Sequence, residues 1–252
     1  MRIDYCFKLG HKSTLSSFLF FLFFLSTQAA FTQDSLVVQY SLNARGTFKE
    51  GRLNQTILSL DVRYSLTTQN WRTELFANYK YLKTNGRLGE NELLSRVLVS
   101  LLPHKSVFPV VGYIYNRSEF YQIQRRHTPG IGIGWRLFAN QSGNINFYAW
   151  GAYDDTEFKS ISGYGTFRIN TFVVGNYQLI KNKLSSQFTL YYLQSLETSD
   201  NYIWRIEPVF LFHLSRRFSL SINFESHFEN IIAPVNTKRN SAMTVGVLFQ
   251  NL

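Results

Sequence analysis

The chain has 252 residues, a formal net charge of +10, and 45% hydrophobic side chains of which an unusual share is aromatic, 17% of all residues. Its mean hydropathy of -0.13, with no run of about 18 apolar residues after residue 30, excludes a helical membrane protein. The basic residues are scattered along the chain and form no patch, so no nucleic-acid partner is expected and an anionic lipid surface is the fitting counterpart.

Residues 1–30 read as a secretory signal peptide. Arg2, Lys8 and Lys12 precede the apolar run 15–25, and Ser26-Thr27-Gln28-Ala29-Ala30 supplies small residues for cleavage. The run is too short to span a bilayer. Cys6, the single cysteine, precedes the run, whereas a lipid-attachment cysteine would follow it. The exported chain, residues 31–252, is therefore expected to be one domain without disulfides.

From Asp34 onward apolar and polar residues alternate with period two. Leu36, Val38, Tyr40, Leu42 and Ala44 oppose Gln39, Ser41, Asn43, Arg45 and Thr47, and 49–53 is the first connection. A second strand sets Leu58, Leu60, Val62, Tyr64 and Leu66 against Ser59, Asp61, Arg63 and Ser65. After a turn at 67–70, Trp71, Leu75, Ala77, Tyr79 and Tyr81 oppose Arg72, Glu74, Asn78 and Lys80. Residues 84–91, with two glycines and no alternation, predict a longer loop. Strand 92–102 carries leucines on both faces, and Glu92, Arg96 and Ser100 are assigned inward.

The chain turns at Pro103-His104-Lys105-Ser106 and returns over 107–116, and 118–125 predicts another long loop. Strands follow at 128–138 and 145–153, with a polar turn between them and a loop at 154–163. In 164–179, Phe167, Ile169, Val173 and Tyr177 oppose Arg168, Asn170, Asn176 and Gln178. A short turn at 180–183 leads to strand 184–193 and the loop 195–201.

The clearest pattern is the hairpin that comes next. Tyr202, Trp204, Ile206, Pro208, Phe210, Phe212 and Leu214 form one apolar face, backed by a mixed face that carries Arg205, Glu207 and His213. After Ser215-Arg216-Arg217, Phe218, Leu220, Ile222, Phe224 and Phe228 oppose Ser219, Ser221, Asn223, Glu225, His227 and Glu229. A loop at 230–239 and a last strand at 241–249 complete the chain.

Strands this long, with aromatics towards their ends, suit a membrane, where about 9–11 tilted residues cross and the apolar face meets lipid. Connections after odd-numbered strands read as long and those after even-numbered strands as short. That is the asymmetry of extracellular loops and periplasmic turns with both termini periplasmic. The predicted fold is an all-β, transmembrane, antiparallel up-and-down β-barrel of about twelve strands.

Its lumen would be lined by Arg45, Asp61, Arg63, Arg72, Glu74, Lys80, Arg96, Arg136, Arg168, Arg205, Glu207, Glu225 and Glu229. Charges of both signs either pair and fill the interior or line a path for small solutes. Gly130, Gly132 and Gly134 share one face of a strand, where small residues make room for bulky neighbours; Tyr113, Tyr115, Tyr148 and Trp150 are the candidates. No dinucleotide fingerprint, P-loop or metal-ligand spacing is present, and no cofactor is expected.

Some outer-membrane barrels are lipid-modifying enzymes that need a serine beside a histidine. His213 and Ser215 lie at a predicted periplasmic turn, and His227 stands between Glu225 and Glu229 with no serine on that face. An enzyme is not expected. Lys49, Arg52, Lys83, Arg87, Arg125, Lys159, Lys238 and Arg239 fall in the predicted extracellular loops. They are expected to pair with lipopolysaccharide phosphates, and unchanged lipopolysaccharide binding after their replacement by glutamine would refute this.

The segment Arg126-His127-Thr128-Pro129-Gly130-Ile131-Gly132-Ile133-Gly134-Trp135-Arg136-Leu137 resembles the family of salt-induced outer membrane proteins, built on a domain of unknown function. Its members show an arginine ahead of a Gly-x-Gly-x-Gly-aromatic strand that follows a loop. The resemblance runs from about residue 35 to the end, with weaker echoes at 92–96 and in the Arg168 strand. It implies a barrel in the bacterial outer membrane that meets lipid, lipopolysaccharide, periplasmic chaperones and the insertion machinery, with no established substrate or reaction. The chain departs from many outer-membrane proteins in placing Phe249 three residues before its last residue, Leu252.

Overall fold

The computed structural model describes residues 36–49, 55–85, 87–231 and 238–251. The signal peptide assigned to residues 1–30 lies outside the described residues. Among the described residues the chain forms twelve strands: β1(Val37–Lys49), β2(Gln55–Thr67), β3(Trp71–Thr84), β4(Arg87–Leu101), β5(Val107–Ser118), β6(Ile123–Asn140), β7(Gly143–Phe158), β8(Tyr164–Ile180), β9(Leu184–Ser195), β10(Tyr202–His213), β11(Phe218–Glu229) and β12(Arg239–Gln250). Each pairs antiparallel with its sequence neighbours, and β12 pairs with β1 to close the barrel. Closure satisfies the backbone of every strand without a free edge, which a sheet in hydrocarbon requires.

The period-two pattern decides which way the barrel turns its faces. Asn43, Arg45, Ser59, Asp61, Asn78 and Lys80 are buried inside, while Leu42, Leu60, Val62 and Tyr79 on the same strands are exposed outside. The outer face is thus an apolar belt, and aromatic residues gather towards its ends. Tyr202 and Trp204 stack with Phe228 at one end, and Tyr40, Phe218 and Phe249 meet at the other. This inverts a soluble barrel, whose apolar side chains face inward.

Strands of 12 to 18 residues are longer than a bilayer crossing needs, and this corrects three loop assignments. Of 84–91 only 85–86 remains outside the strands; 118–125 shrinks to 119–122; and 154–163 shrinks to 159–163. The polar residues there continue the inward alternation, so the barrel wall rises beyond its apolar belt at the end that carries these connections. The contrast between long and short connections is correspondingly blunted: 85–86 is shorter than the turn 102–106 on the opposite side. We call the two ends the loop end and the terminal end, the latter holding the start of β1 and the finish of β12.

Candidate functional site: the barrel lumen

Four layers fill the lumen from the loop end to the terminal end. The first is a lid. The β5–β6 connection folds inward, Gln122 adopting a φ of 55°, and drops Tyr121 into the barrel mouth against Ile123 and Phe158. The Tyr121 ring meets His227 edge-on at 4.7 Å, and its hydroxyl donates to the His227 carbonyl at 3.4 Å. Burial pushes the Tyr121 phenol above its ordinary range, which keeps it a neutral donor.

Beneath the lid lies a network of buried ion pairs. Arg168 Nε meets Asp154 at 2.6 Å, and both side chains are 0% exposed. The remaining Arg168 donors go to the Asn201 carbonyl at 3.2 Å, Asn201 Oδ1 at 2.6 Å and the Tyr164 hydroxyl at 2.9 Å. Arg126 binds Glu229 and, at 3.6 Å, Asp154. Lys80 lies 3.4 Å from Glu90 and from Glu225. Arg205 contacts Glu207, and reaches Glu92 and Glu225 at 3.2 Å each. Arg45 pairs with Asp61 at 2.7 Å, and Asn78 donates to the same carboxylate.

Several of these contacts cross the lumen. Arg205 on β10 and Glu92 on β4 are six strands apart in either direction round the ring. A circular ring of twelve strands at ordinary spacing and tilt would be roughly 24 Å across, whereas an arginine and a glutamate joined by a hydrogen bond span roughly 15 Å between Cα atoms. The barrel is therefore flattened at this height, and its opposite walls are tied together.

The third layer is apolar. Leu98, Phe108, Val110, Ile114, Tyr148, Trp150, Ala152 and Phe172 form a buried cluster on the inner wall of β4, β5, β7 and β8. Tyr148 stacks on Phe172 at 4.6 Å, and Trp150 meets the same ring edge-on. The glycines give this cluster its space: a Cβ at Gly112 would overlap the Trp150 ring, one at Gly132 the backbone of Ala149 and Trp150, and one at Gly134 the Phe108 ring. Tyr148 and Trp150 are lumen neighbours of these glycines as expected. Tyr113 and Tyr115 are not, because their parity on β5 turns them outward; there Tyr113 shares a hydrogen bond with His127 at 2.6 Å and Tyr115 packs on the same imidazole.

The fourth layer is a vestibule of about 450 Å³, whose lining includes Ser142 and Asn251 at the terminal end and Arg63, Phe76 and Arg96 at its inner limit. Arg72 and Glu74 pair within it at 2.6 Å. A smaller cavity of about 70 Å³ continues past Arg63, Phe76 and Arg96 towards Arg126, Arg205 and His227. Arg136 also points inward and is spent on the backbone, donating to the Pro103 and His104 carbonyls of the turn.

The thirteen charged residues of the expected lumen lining, and Glu92, thus lie on the inner face, but in two separate groups. Glu90, Arg126 and Asp154 were not among the assigned lumen residues, although they complete the ion-pair layer. Glu90 and Asp154 fall in segments read as loops and Arg126 in the gap between the loop 118–125 and the strand 128–138; the signal that identifies them is parity: Glu90 precedes Glu92, Arg126 precedes Thr128, and Asp154 follows Ala152, each by two. His213 is bonded to Ser185 at 2.9 Å and Ser219 at 2.8 Å, not to Ser215, and neither ring nitrogen meets a carboxylate. Ser215 instead accepts from Arg217 and Phe218 within the turn. Among the described residues no group of three or more His, Asp or Glu is placed to hold a metal ion.

At the loop end the basic residues are partly neutralised. Arg125 pairs with Glu157 at 2.5 Å and Lys159 with Glu119, whereas Lys238 donates to the uncharged Asn230 amide at 2.6 Å and Arg239 lies over the Trp204 ring. Arg52 lies outside the described residues, as do the side chains of Lys49 and Arg87.

An all-antiparallel, sequentially paired, closed barrel with an apolar exterior and a charged interior is the outer-membrane type of β-barrel. The chain belongs to the family described as "Protein of unknown function, DUF481", whose model matches residues 43–250. No curated protein matches it. Among solved structures, the NanC porin in a rhombohedral crystal form aligns at 12% identity with a TM-score of 0.54, covering 84% of this chain and 100% of the porin. An anion-selective porin from Comamonas acidovorans aligns at 7% identity and 0.42, covering 87% and 100%. OmpT of Vibrio cholerae aligns at 6% identity and 0.42, covering 86% and 98%. The first of these likenesses shows the shared barrel fold.

Proposed function

We propose that the protein is a bacterial outer-membrane barrel with a structural role, its lumen closed to free diffusion, and oriented with the terminal end in the periplasm. The observation that carries this reading is the Arg205–Glu92 contact at 3.2 Å between opposite walls. It is backed by Arg126–Glu229, which joins β6 to β11. A pore that passes solutes needs an open section at every height, and this layer has none wider than the small cavity beside it.

Removing one member of a buried pair leaves an uncompensated charge and costs about 3–5 kcal/mol, so the test removes both. Single-channel recording of the refolded protein in a planar bilayer is expected to show silence. The combined change Glu92→Ala with Arg205→Ala and Glu207→Gln, which leaves Glu225 its Lys80 partner, is expected to produce brief openings. Steady conductance of the unchanged protein would overturn the reading.

A further inference from the structure

We propose that the vestibule is a binding site for a small aromatic carboxylate, gripped by Arg63 and Arg96 on either side of Phe76. The strand register creates the arrangement. Arg63 on β2 stands opposite Phe76 on β3, and Phe76 stands opposite Arg96 on β4, so the three form a row across the inner wall. The Arg63 guanidinium lies 5.2 Å from the Phe76 ring centroid and that of Arg96 lies 5.6 Å from it. Arg96 also lies 5.3 Å from the Phe172 ring, on the other side of the lumen.

Among the described residues neither guanidinium has a carboxylate within ion-pair distance. Every acidic group nearby is already committed: Asp61 to Arg45, Glu74 to Arg72, and Glu207 to Arg205. This sets the pair apart from the ion-pair layer, where each cation has its anion. Aromatic faces stabilise a guanidinium by about 0.5–2 kcal/mol, but they leave its N–H edge without an acceptor. Two like charges flanking one ring also repel each other. A carboxylate in the vestibule, at the N–H edges that the two arginines turn away from the Phe76 ring, would relieve the repulsion and accept the forked hydrogen bonds that arginine makes and lysine does not.

The body of the ligand follows from the rest of the lining. Phe76, Phe172 and Tyr148 make the wall beside the two cations apolar and aromatic, and Asn146 and Gln187 offer amides for polar substituents. A volume of about 450 Å³ falls in the range of ligand sites, roughly 300–1,000 Å³. The vestibule lies at the terminal end, beside Ser142 and Asn251, so a closed barrel can still hold a ligand there. The site therefore stands or falls separately from the closed-lumen reading, which conductance tests.

The test is calorimetric titration of the refolded full-length protein in detergent with benzoate. Saturable binding is expected, with benzyl alcohol and benzylammonium failing to compete. Arg63→Gln combined with Arg96→Gln should weaken binding by at least about tenfold, and Phe76→Leu should weaken it while both cations remain. In the unchanged protein, benzoate should also protect Arg63 and Arg96 from modification by phenylglyoxal, a readout that needs no variant to fold. The proposal is overturned by no saturable binding, by equal binding in the double variant, by phosphate binding as tightly as benzoate, or by an absence of protection.

Discussion

Gly112 and Trp150 show how single residues fill this lumen. The indole occupies the space where a Gly112 side chain would start, and Gly132 and Gly134 clear the wall beside it for Trp150 and Phe108. Gly151 is the counter-example, since it faces outward and a Cβ there would meet nothing within 4 Å. Gly112→Val should therefore destabilise the barrel by about 1–3 kcal/mol through overpacking, whereas Gly151→Ala should stay within about 0.5 kcal/mol of the unchanged protein. Urea unfolding of the lipid-refolded protein, followed by tryptophan fluorescence, measures both. The Gly-x-Gly-x-Gly string was legible as one face of a strand; which aromatic rings it admits was not. Period two gives the face but not the tilt and register that bring β7 against β6.

At the scale of elements, the joint between β1 and β12 is the barrel's shortest pairing. Ser41 to Gly46 face Gln250 to Val245, while β1 pairs with β2 along its whole length. Asn251 extends the joint beyond the strand: its side chain donates to the Val38 carbonyl at 3.1 Å and accepts from the Tyr40 amide at 2.5 Å. Gly246 also opens space there for the Arg45 side chain. Asn251→Ala removes both side-chain bonds, at about 1 kcal/mol each. The temperature at which the folded, fast-migrating band converts to the unfolded band on a gel is expected to fall by several degrees.

The strands themselves were the most legible elements, because apolar–polar alternation is repeated on both partners of each hairpin. Their ends at 85–91, 118–125 and 154–163 were not. Glycine and charge in those stretches read as loop, although inward charge is what a barrel wall above the lipid carries. Glu90 and Asp154 were missed for that reason, and Arg126 because the strand was begun at 128, whereas it starts at Ile123.

For the whole molecule, closure makes side chains distant in sequence into neighbours. Arg126 and Glu229 are separated by 103 residues, and Arg205 and Glu92 by 113. Pairs this deeply buried are screened little by salt, unlike surface pairs, which weaken over a Debye length of about 8–10 Å. The silence expected in planar bilayers should accordingly persist when the salt is raised to about 1 M. Openings that appeared at high salt would mean that the network is wetter than its burial indicates.

The sequence by itself determined the fold class, the number of strands, and the inward face of the clearly alternating strands, because a closed antiparallel barrel needs only local alternation and turns, both written along the chain. It also placed fourteen charges on the inner face, Glu92 among them. Only the tertiary structure decided how they divide: a layer of buried ion pairs towards the loop end, and two arginines that face aromatic rings at the floor of the vestibule. Partner choice depends on register, stagger and the flattening of the ring, and these are set by packing across the lumen between residues that no local pattern connects.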